Sequence, residues 1–169
     1  MAILVVINGE SSSGKDTFVE LFREMYPLPV ANIHSSDSAK KYLKCLGWNG
    51  EKTEGSRNYL ADLIEMEERH GYIVPEKLSE ALKSHINWCV VFYHQRNPQT
   101  IQKIKKLLKK DNNVSVTTLL IKRPQKTKNE IDRWGIEKYG YDTIVENTGS
   151  LEDLKRKAQE YMKRLEELR

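Results

Sequence analysis

The chain has 169 residues, 38% of them hydrophobic and 31% charged, the make-up of one soluble globular domain. A chain of this length can bury roughly 70% of the surface it exposes when unfolded, so it can form a true core. A net charge of +4 is too mild to argue for a nucleic-acid polymer as partner, and a site for small anions accounts for it equally well.

The chain opens on an apolar run, Ala2-Ile3-Leu4-Val5-Val6-Ile7. No basic region precedes it, and it is too short for a signal peptide or a membrane span, so it reads as a first strand in a cytoplasmic protein. Further strands are expected over Val30–His34, Trp88–Tyr93, Val114–Ile121 and Asp142–Val145. Several are near-continuous Val, Ile and Leu, the pattern of strands covered on both faces in a parallel sheet. Helices are expected between them, over Asp16–Met25, Ser36–Leu46, Ser56–Arg69, Pro75–Ile86, Gln99–Leu108 and Leu151–Leu168. The third carries Tyr59, Leu60, Leu63 and Ile64 at helical spacing. Asn97-Pro98 supplies a cap and a first-turn proline, and Ser150 with Asp153 resembles a capping pair for the last helix. The basic run KIKKLLKK at 103–110 has its apolar residues at helical spacing and reads as the solvated face of a surface helix. The cysteines, Cys45 and Cys89, lack metal-ligand spacing and read as reduced, structural thiols. Strands alternating with helices imply a three-layer α/β domain over the whole chain, 1–169.

Chemistry is densest behind the first strand. Gly9-Glu10-Ser11-Ser12-Ser13-Gly14-Lys15 fits G-x-x-x-x-G-K between a strand and a helix. Glycines let backbone N–H groups converge on an anion, the helix N-terminus adds partial positive charge, and Lys15 adds a full one. This is a phosphate-binding loop. The residue after the lysine is Asp16 rather than Ser or Thr, with Thr17 next. Either could hold Mg²⁺, or Asp16 could simply complement the helix dipole.

The stretch GESSSGKDT resembles the phosphate loop of bacteriophage-type deoxynucleoside monophosphate kinases, which carry G-K-D-T. Animal-type phosphomevalonate kinases share the G-K-D variation. GWNGEKTEGSRNYLADL, QRNPQTI, LLIKRP and YDTIVENTGSLEDL resemble later elements of the phage-type family, in order. The resemblance implies a P-loop kinase fold whose five-stranded parallel sheet runs 2-3-1-4-5. It also implies a helical acceptor-binding insert at about 37–86 and a lid at about 122–141. The partners would be Mg-ATP and a nucleoside monophosphate, with no membrane and a monomer or homodimer as the assembly.

A kinase of this kind needs two facing phosphate sites and positive charge between them. Gly9, Ser11, Ser12, Ser13, Gly14, Lys15, Asp16 and Thr17 would hold ATP. In similar kinases the turn matching Asn147-Thr148-Gly149 lies against the adenine, though here it also makes a plain turn and cap. The resemblance gives Arg57 and Arg96 the acceptor phosphate, for which a planar guanidinium is suited. Ser36 and Asp37 could touch the acceptor or merely cap a helix; Lys40, Lys41 and Asp62 are weaker candidates. Lys15, with Arg123 and Arg133 of the lid, would stabilise the transferring group.

One expected group is missing. Many P-loop enzymes place an aspartate at the end of strand three, near the Mg²⁺; here the stretch is Phe92-Tyr93-His94-Gln95-Arg96. His94 there could bond water or phosphate, or be only a polar strand end. The sequence therefore carries three readings: a (deoxy)nucleoside monophosphate kinase, a P-loop kinase of another phosphorylated metabolite, and a non-catalytic nucleotide-binding module. A GTPase is disfavoured, because neither D-x-x-G after strand three nor N-K-x-D is present.

Overall fold

The structure is a computed structural model that describes residues 2–51, 53–72, 76–83, 90–111, 113–124 and 135–167. Its elements in order are β1 (Ala2–Asn8), α1 (Lys15–Met25), β2 (Val30–His34), α2 (Asp37–Cys45), α3 (Glu54–Arg69), α4 (Glu76–Lys83), β3 (Val90–His94), α5 (Pro98–Leu108), β4 (Val114–Lys122), a short 3₁₀ turn (Ile136–Lys138), β5 (Thr143–Glu146) and α6 (Leu151–Glu167). Every strand pairing is parallel, and the order is β2-β3-β1-β4-β5, as expected. Each element falls within a few residues of its expected place. The expected beginnings of strand three and of the fourth helix, Trp88, Cys89 and Pro75, lie outside the described residues.

The burial pattern explains the continuous apolar runs. Every residue of the central strands β1 and β3 is buried. One face packs Ile3, Val5, Ile7 and Phe92 against Phe18 and Phe22 of α1 and Ala158 and Tyr161 of α6. The other packs Leu4, Val6, Val91 and Tyr93 against Leu78 and Leu82 of α4 and Ile101 and Ile104 of α5. β2 and β5 are the sheet's edges and are only partly buried.

The helix expected over Ser56–Arg69 is present as α3, though Tyr59 of its apolar stripe is 45% exposed and the buried residue of that helix is Glu68. One expectation needs correcting. Cys45 is exposed at the end of α2 and so has no structural role as a core thiol. The caps behave as their sequences imply. Asn97 Oδ1 accepts from Gln99 N at 3.0 Å, and Ser150 and Asp153 bond reciprocally, at 2.9 Å and 3.2 Å. Ser36 sits at the N-cap of α2 without a side-chain cap bond. Asp37 supplies the local contact instead, accepting from His34 N at 3.3 Å. Among the described residues, no helix is long and apolar enough to cross a membrane.

Asp142 locks β5 to β4. Its carboxylate accepts from Thr118 N and Thr118 Oγ1, both at 2.8 Å, and from Lys105 Nζ at 3.1 Å. Partial burial pulls its pKa up, but these donors outweigh burial and hold it below its ordinary 3.8. A depressed folded pKa contributes stability that is complete above the unfolded value and is lost as pH falls through the folded one. Asp142→Asn should therefore lower the urea midpoint by a constant amount from pH 7 to pH 5, with the gap to wild type closing only below about pH 4.

Candidate active site

The carboxyl ends of β1, β2, β3 and β4 point the same way, and the loops that leave them meet there. The loop after β1 depends on three unusual backbone angles: Gly9 at φ +149°, Ser12 at +59° and Gly14 at +95°. A Cβ on Gly9 would lie 2.4 Å from the Ile121 carbonyl oxygen, and one on Gly14 would lie 2.4 Å from Asn147 Nδ2. Both glycines are thus required by space as well as by angle. Gly14 delivers the chain into α1, where the exposed N–H groups of the first turn face the loop. Lys15 Nζ donates to the carbonyls of Gly9 (2.8 Å) and Glu10 (2.6 Å), so its charge lies over the loop.

Side chains of the sheet hold this loop from beneath. Asn8, 1% exposed, accepts from Gly9 N at 2.7 Å and donates to the Arg96 carbonyl (3.1 Å) and the Tyr141 hydroxyl (2.8 Å). Asn147, expected to offer backbone contacts to an adenine ring, is buried, and its side chain donates to Ser13 O at 2.9 Å. It is part of the loop's support. Thr148 and Gly149 follow it on the surface. Asn8 was not singled out in the sequence; the signal available was a polar residue closing an apolar run immediately before a required glycine.

Asp16 and Thr17 are exposed in the first turn of α1. Asp16 does more than face the helix dipole, because two histidines stand beside it. His34 ends β2, His94 ends β3, and the two are direct register partners. Their rings stack with centroids 3.9 Å apart and 21° between planes. Asp16 Oδ1 lies 3.4 Å from His34 Nε2 and 3.9 Å from His94 Nε2. His94 Nε2 is also 2.8 Å from Asn32 Oδ1. Burial drives the His94 pKa down to about 2, with His34, Lys15 and Lys40 adding to the effect. Burial also lowers that of His34, outweighing the opposing pull of Asp16 and Asp37. Both rings are neutral at pH 7. His94 ends β3 as a buried polar residue stacked on His34.

On the other side of the strand ends lies the loop 95–97. Arg96 is exposed there, three residues beyond the strand expected to precede it and two beyond β3 as it stands. Its neighbours converge on Glu68, which is 8% exposed. Glu68 accepts from Gln95 Nε2 (3.0 Å), Asn97 Nδ2 (2.8 Å) and Thr100 Oγ1 (2.7 Å). With Asn8 on its carbonyl, the backbone of Arg96 is thus fixed from both sides. Glu68 had no distinguishing mark in the sequence, since glutamate on a helix normally faces solvent. Arg57 is exposed in the first turn of α3, and Arg123 is exposed just after β4. Arg133, Trp134 and half of the expected lid, 125–134, lie outside the described residues. Ser36 and Asp37 sit half-buried at the start of α2, next to His34.

No protein-family profile matches this sequence, and no curated protein matches it. Solved structures do share its fold. A mutant of the Mycobacterium tuberculosis APS kinase CysC aligns at TM-score 0.52 and 14% identity, covering 98% of this chain and 97% of that one. The same kinase in complex with AMPPNP and APS aligns at TM-score 0.52 and 13% identity over 98% of both chains. Shikimate kinase from Aquifex aeolicus aligns at TM-score 0.49 and 14% identity over 96% of both. The chain therefore has the α/β fold of P-loop kinases, with its sheet in the order 2-3-1-4-5.

The Glu68 hub is open to a direct test. Glu68→Ala strands two buried donors, Gln95 Nε2 and Thr100 Oγ1, and a half-buried one, Asn97 Nδ2, and leaving a buried group unsatisfied costs about 1–3 kcal/mol. It should lower unfolding free energy by roughly 3 kcal/mol in urea titrations, whereas Tyr59→Ala on the same helix should cost about 1 kcal/mol or less. Equal effects of the two substitutions would refute the hub.

Proposed function

We propose that this protein is an ATP-dependent P-loop kinase that phosphorylates a small metabolite. The observation that carries the reading is the loop Gly9–Lys15: positive-φ glycines, an opening helix and a lysine charge, at the end of the central strand of a 2-3-1-4-5 sheet. A loop of this kind binds the outer phosphates of a nucleoside triphosphate, and phosphoryl transfer then needs positioning and positive charge more than covalent chemistry. A fold neighbour, an APS kinase solved in complex with AMPPNP and APS, is in keeping with this reading.

Lys15 would neutralise the transferring group, aided by Arg123 and by Arg133 of a lid over about 122–141. Arg96, held in place through Asn8 and Glu68, and Arg57 would grip the acceptor's anionic group. Helices α2–α4, inserted between β2 and β3, would form the acceptor's wall. Mg²⁺ fits the loop in part. Asp16 offers one hard oxygen ligand, and Mg²⁺ ordinarily adds phosphate oxygens and water to one or two carboxylates. When bound with ATP, Mg²⁺ supplies charge neutralisation on the phosphates.

Two acceptor classes remain in view, each with its own support. A (deoxy)nucleoside monophosphate follows from the G-K-D-T resemblance and the order of the later motifs. Another small metabolite is favoured by the fold neighbours, whose acceptor is APS in the case solved with substrate. A phosphoryl-transfer screen of Mg-ATP against nucleoside monophosphates, their deoxy forms and other small anionic metabolites separates them.

In that screen Lys15→Ala should lower turnover about 100- to 1000-fold, the scale of losing one transition-state charge contact. Arg96→Ala should raise the acceptor KM by about tenfold or more while moving the ATP KM by less than about twofold. An unchanged acceptor KM would remove Arg96 from the acceptor site. Absence of transfer to every acceptor, in protein that still binds ATP, would leave a nucleotide-binding module in place of an enzyme.

A further inference from the structure

The cluster beside the phosphate loop has a chemistry of its own. Asp16, His34 and His94 each present one ligand atom, and these atoms all lie within 4.8 Å of one another. Donors that share one ion at about 2.1 Å stand roughly 3 to 3.5 Å apart. The 3.4 Å between Asp16 Oδ1 and His34 Nε2 already meets that spacing. The 3.9 Å to His94 Nε2 exceeds it slightly, and Asp16 is the exposed member, free to close the difference by rotation about its own side chain. Asn32 Oδ1, 2.8 Å from His94 Nε2, adds an amide oxygen to the same spot.

We propose that Asp16, His34 and His94 bind a divalent transition-metal ion of the Zn²⁺, Co²⁺ or Mn²⁺ kind, with Asn32 Oδ1 as a further donor. Two imidazoles and a carboxylate form a borderline donor set. Such sets suit first-row transition ions, whereas Mg²⁺ keeps to oxygen and gives up its water reluctantly. The site is built by the fold rather than gathered on a flexible surface. His34 and His94 are paired in register on adjacent strands, which sets their Nε2 atoms 3.4 Å and 3.9 Å from Asp16 Oδ1; sharing one ion requires the stacked rings, 21° apart, to splay so that both planes meet at it. His94 is 7% exposed, so its ring is held by packing before any ion arrives. His94 Nε2 carries the ring's proton in its bond to Asn32 Oδ1, which can only accept, so binding an ion at Nε2 shifts that proton to Nδ1 and frees Asn32 Oδ1 to turn toward the ion.

The inference deepens the kinase reading and rests on it for the ion's role: Asp16 adjoins Lys15, so an ion there would lie next to the nucleotide's phosphates and set which metal the enzyme prefers. The site's existence does not rest on that reading. Nucleotide-free protein should be titrated with Co²⁺ and followed by visible absorption, with calorimetric titrations of Zn²⁺ and Mg²⁺ alongside. One Co²⁺ per chain should bind with the d–d bands of mixed nitrogen and oxygen ligation, and Zn²⁺ should bind at least tenfold more tightly than Mg²⁺. His34→Ala and Asp16→Asn, at positions less buried than His94, should each weaken Co²⁺ binding tenfold or more with circular dichroism unchanged. His70→Ala, at the far end of α3, should leave it as in wild type. A wild-type spectrum no different from that of aqueous Co²⁺, or binding that survives His34→Ala, overturns the site. Phosphoryl transfer with Mg²⁺ but no Co²⁺ binding would end the metal proposal and leave the kinase reading standing. Co²⁺ binding without transfer under any ion would do the reverse.

Discussion

The buried amide of Asn8 sets the geometry of the strand ends. It closes β1, is nearly inaccessible to water, and accepts from Gly9 while donating to the Arg96 backbone and the Tyr141 hydroxyl. Hydrogen bonds in so dry a place are strong, and each one lost would leave a group without water to replace it. One side chain thereby ties together the loop after β1, the loop after β3 and the segment leading into β5. Asn147 repeats the device from the end of β5, holding Ser13 O. The loop's glycines take positive-φ angles that a residue with a Cβ avoids, and Asn8 and Asn147 hold the backbone in that course. A lysine and an open helix end then face whatever the loop holds, without having to be ordered on binding.

A similar logic governs the other side. The attachment of α3 is polar: Glu68 reaches the loop 95–97 and Thr100, and Glu67 accepts from Ser38 of α2 at 2.8 Å. An apolar stripe would have tolerated sliding of the helix by part of a turn. A carboxylate with three fixed donors does not, because any slip strands buried polar groups. The cost is a desolvated charge, and what the fold gains is a defined position for the Arg96 backbone. In the kinase reading, that position sets the distance between acceptor and donor.

How much of this was legible in the sequence follows from how local each feature is. The near-continuous strands, the Asn97-Pro98 start of α5, the Ser150–Asp153 cap and the G-x-x-x-x-G-K loop are written within a few residues, and each stands where it was read. The sheet order came from resemblance to known folds, since no local pattern encodes it. Glu68 and the histidine pair could not be read, because each depends on contacts between residues 27 or more apart in the chain, and Asn8 left only the signal of a polar residue before a required glycine. His34 and His94 meet only because β2 and β3 pair in one register, and a shift by a single residue would send one ring to the opposite face. The apolar stripe of α3 marked the helix but not its depth. Periodicity identifies the face that can be buried, and here the neighbouring elements cover it only in part.

The missing aspartate at the end of β3 takes on a physical meaning beside that pair. A carboxylate at position 94 would sit in a place only 7% exposed and on the side of Asp16, whose Oδ1 lies 3.9 Å from the present His94 Nε2. Two such charges must share a proton or a cation to coexist. A neutral imidazole needs neither. It stacks on His34, bonds Asn32, and leaves Asp16 the only formal negative charge among the three side chains. The strand end is thus stable with or without an ion, whereas a pair of carboxylates would be strained until one bound. The histidine at this place therefore changes which cation the strand ends favour, by exchanging a hard oxygen for a nitrogen donor, and it does so without disturbing the loop that Asn8 and Asn147 hold in place.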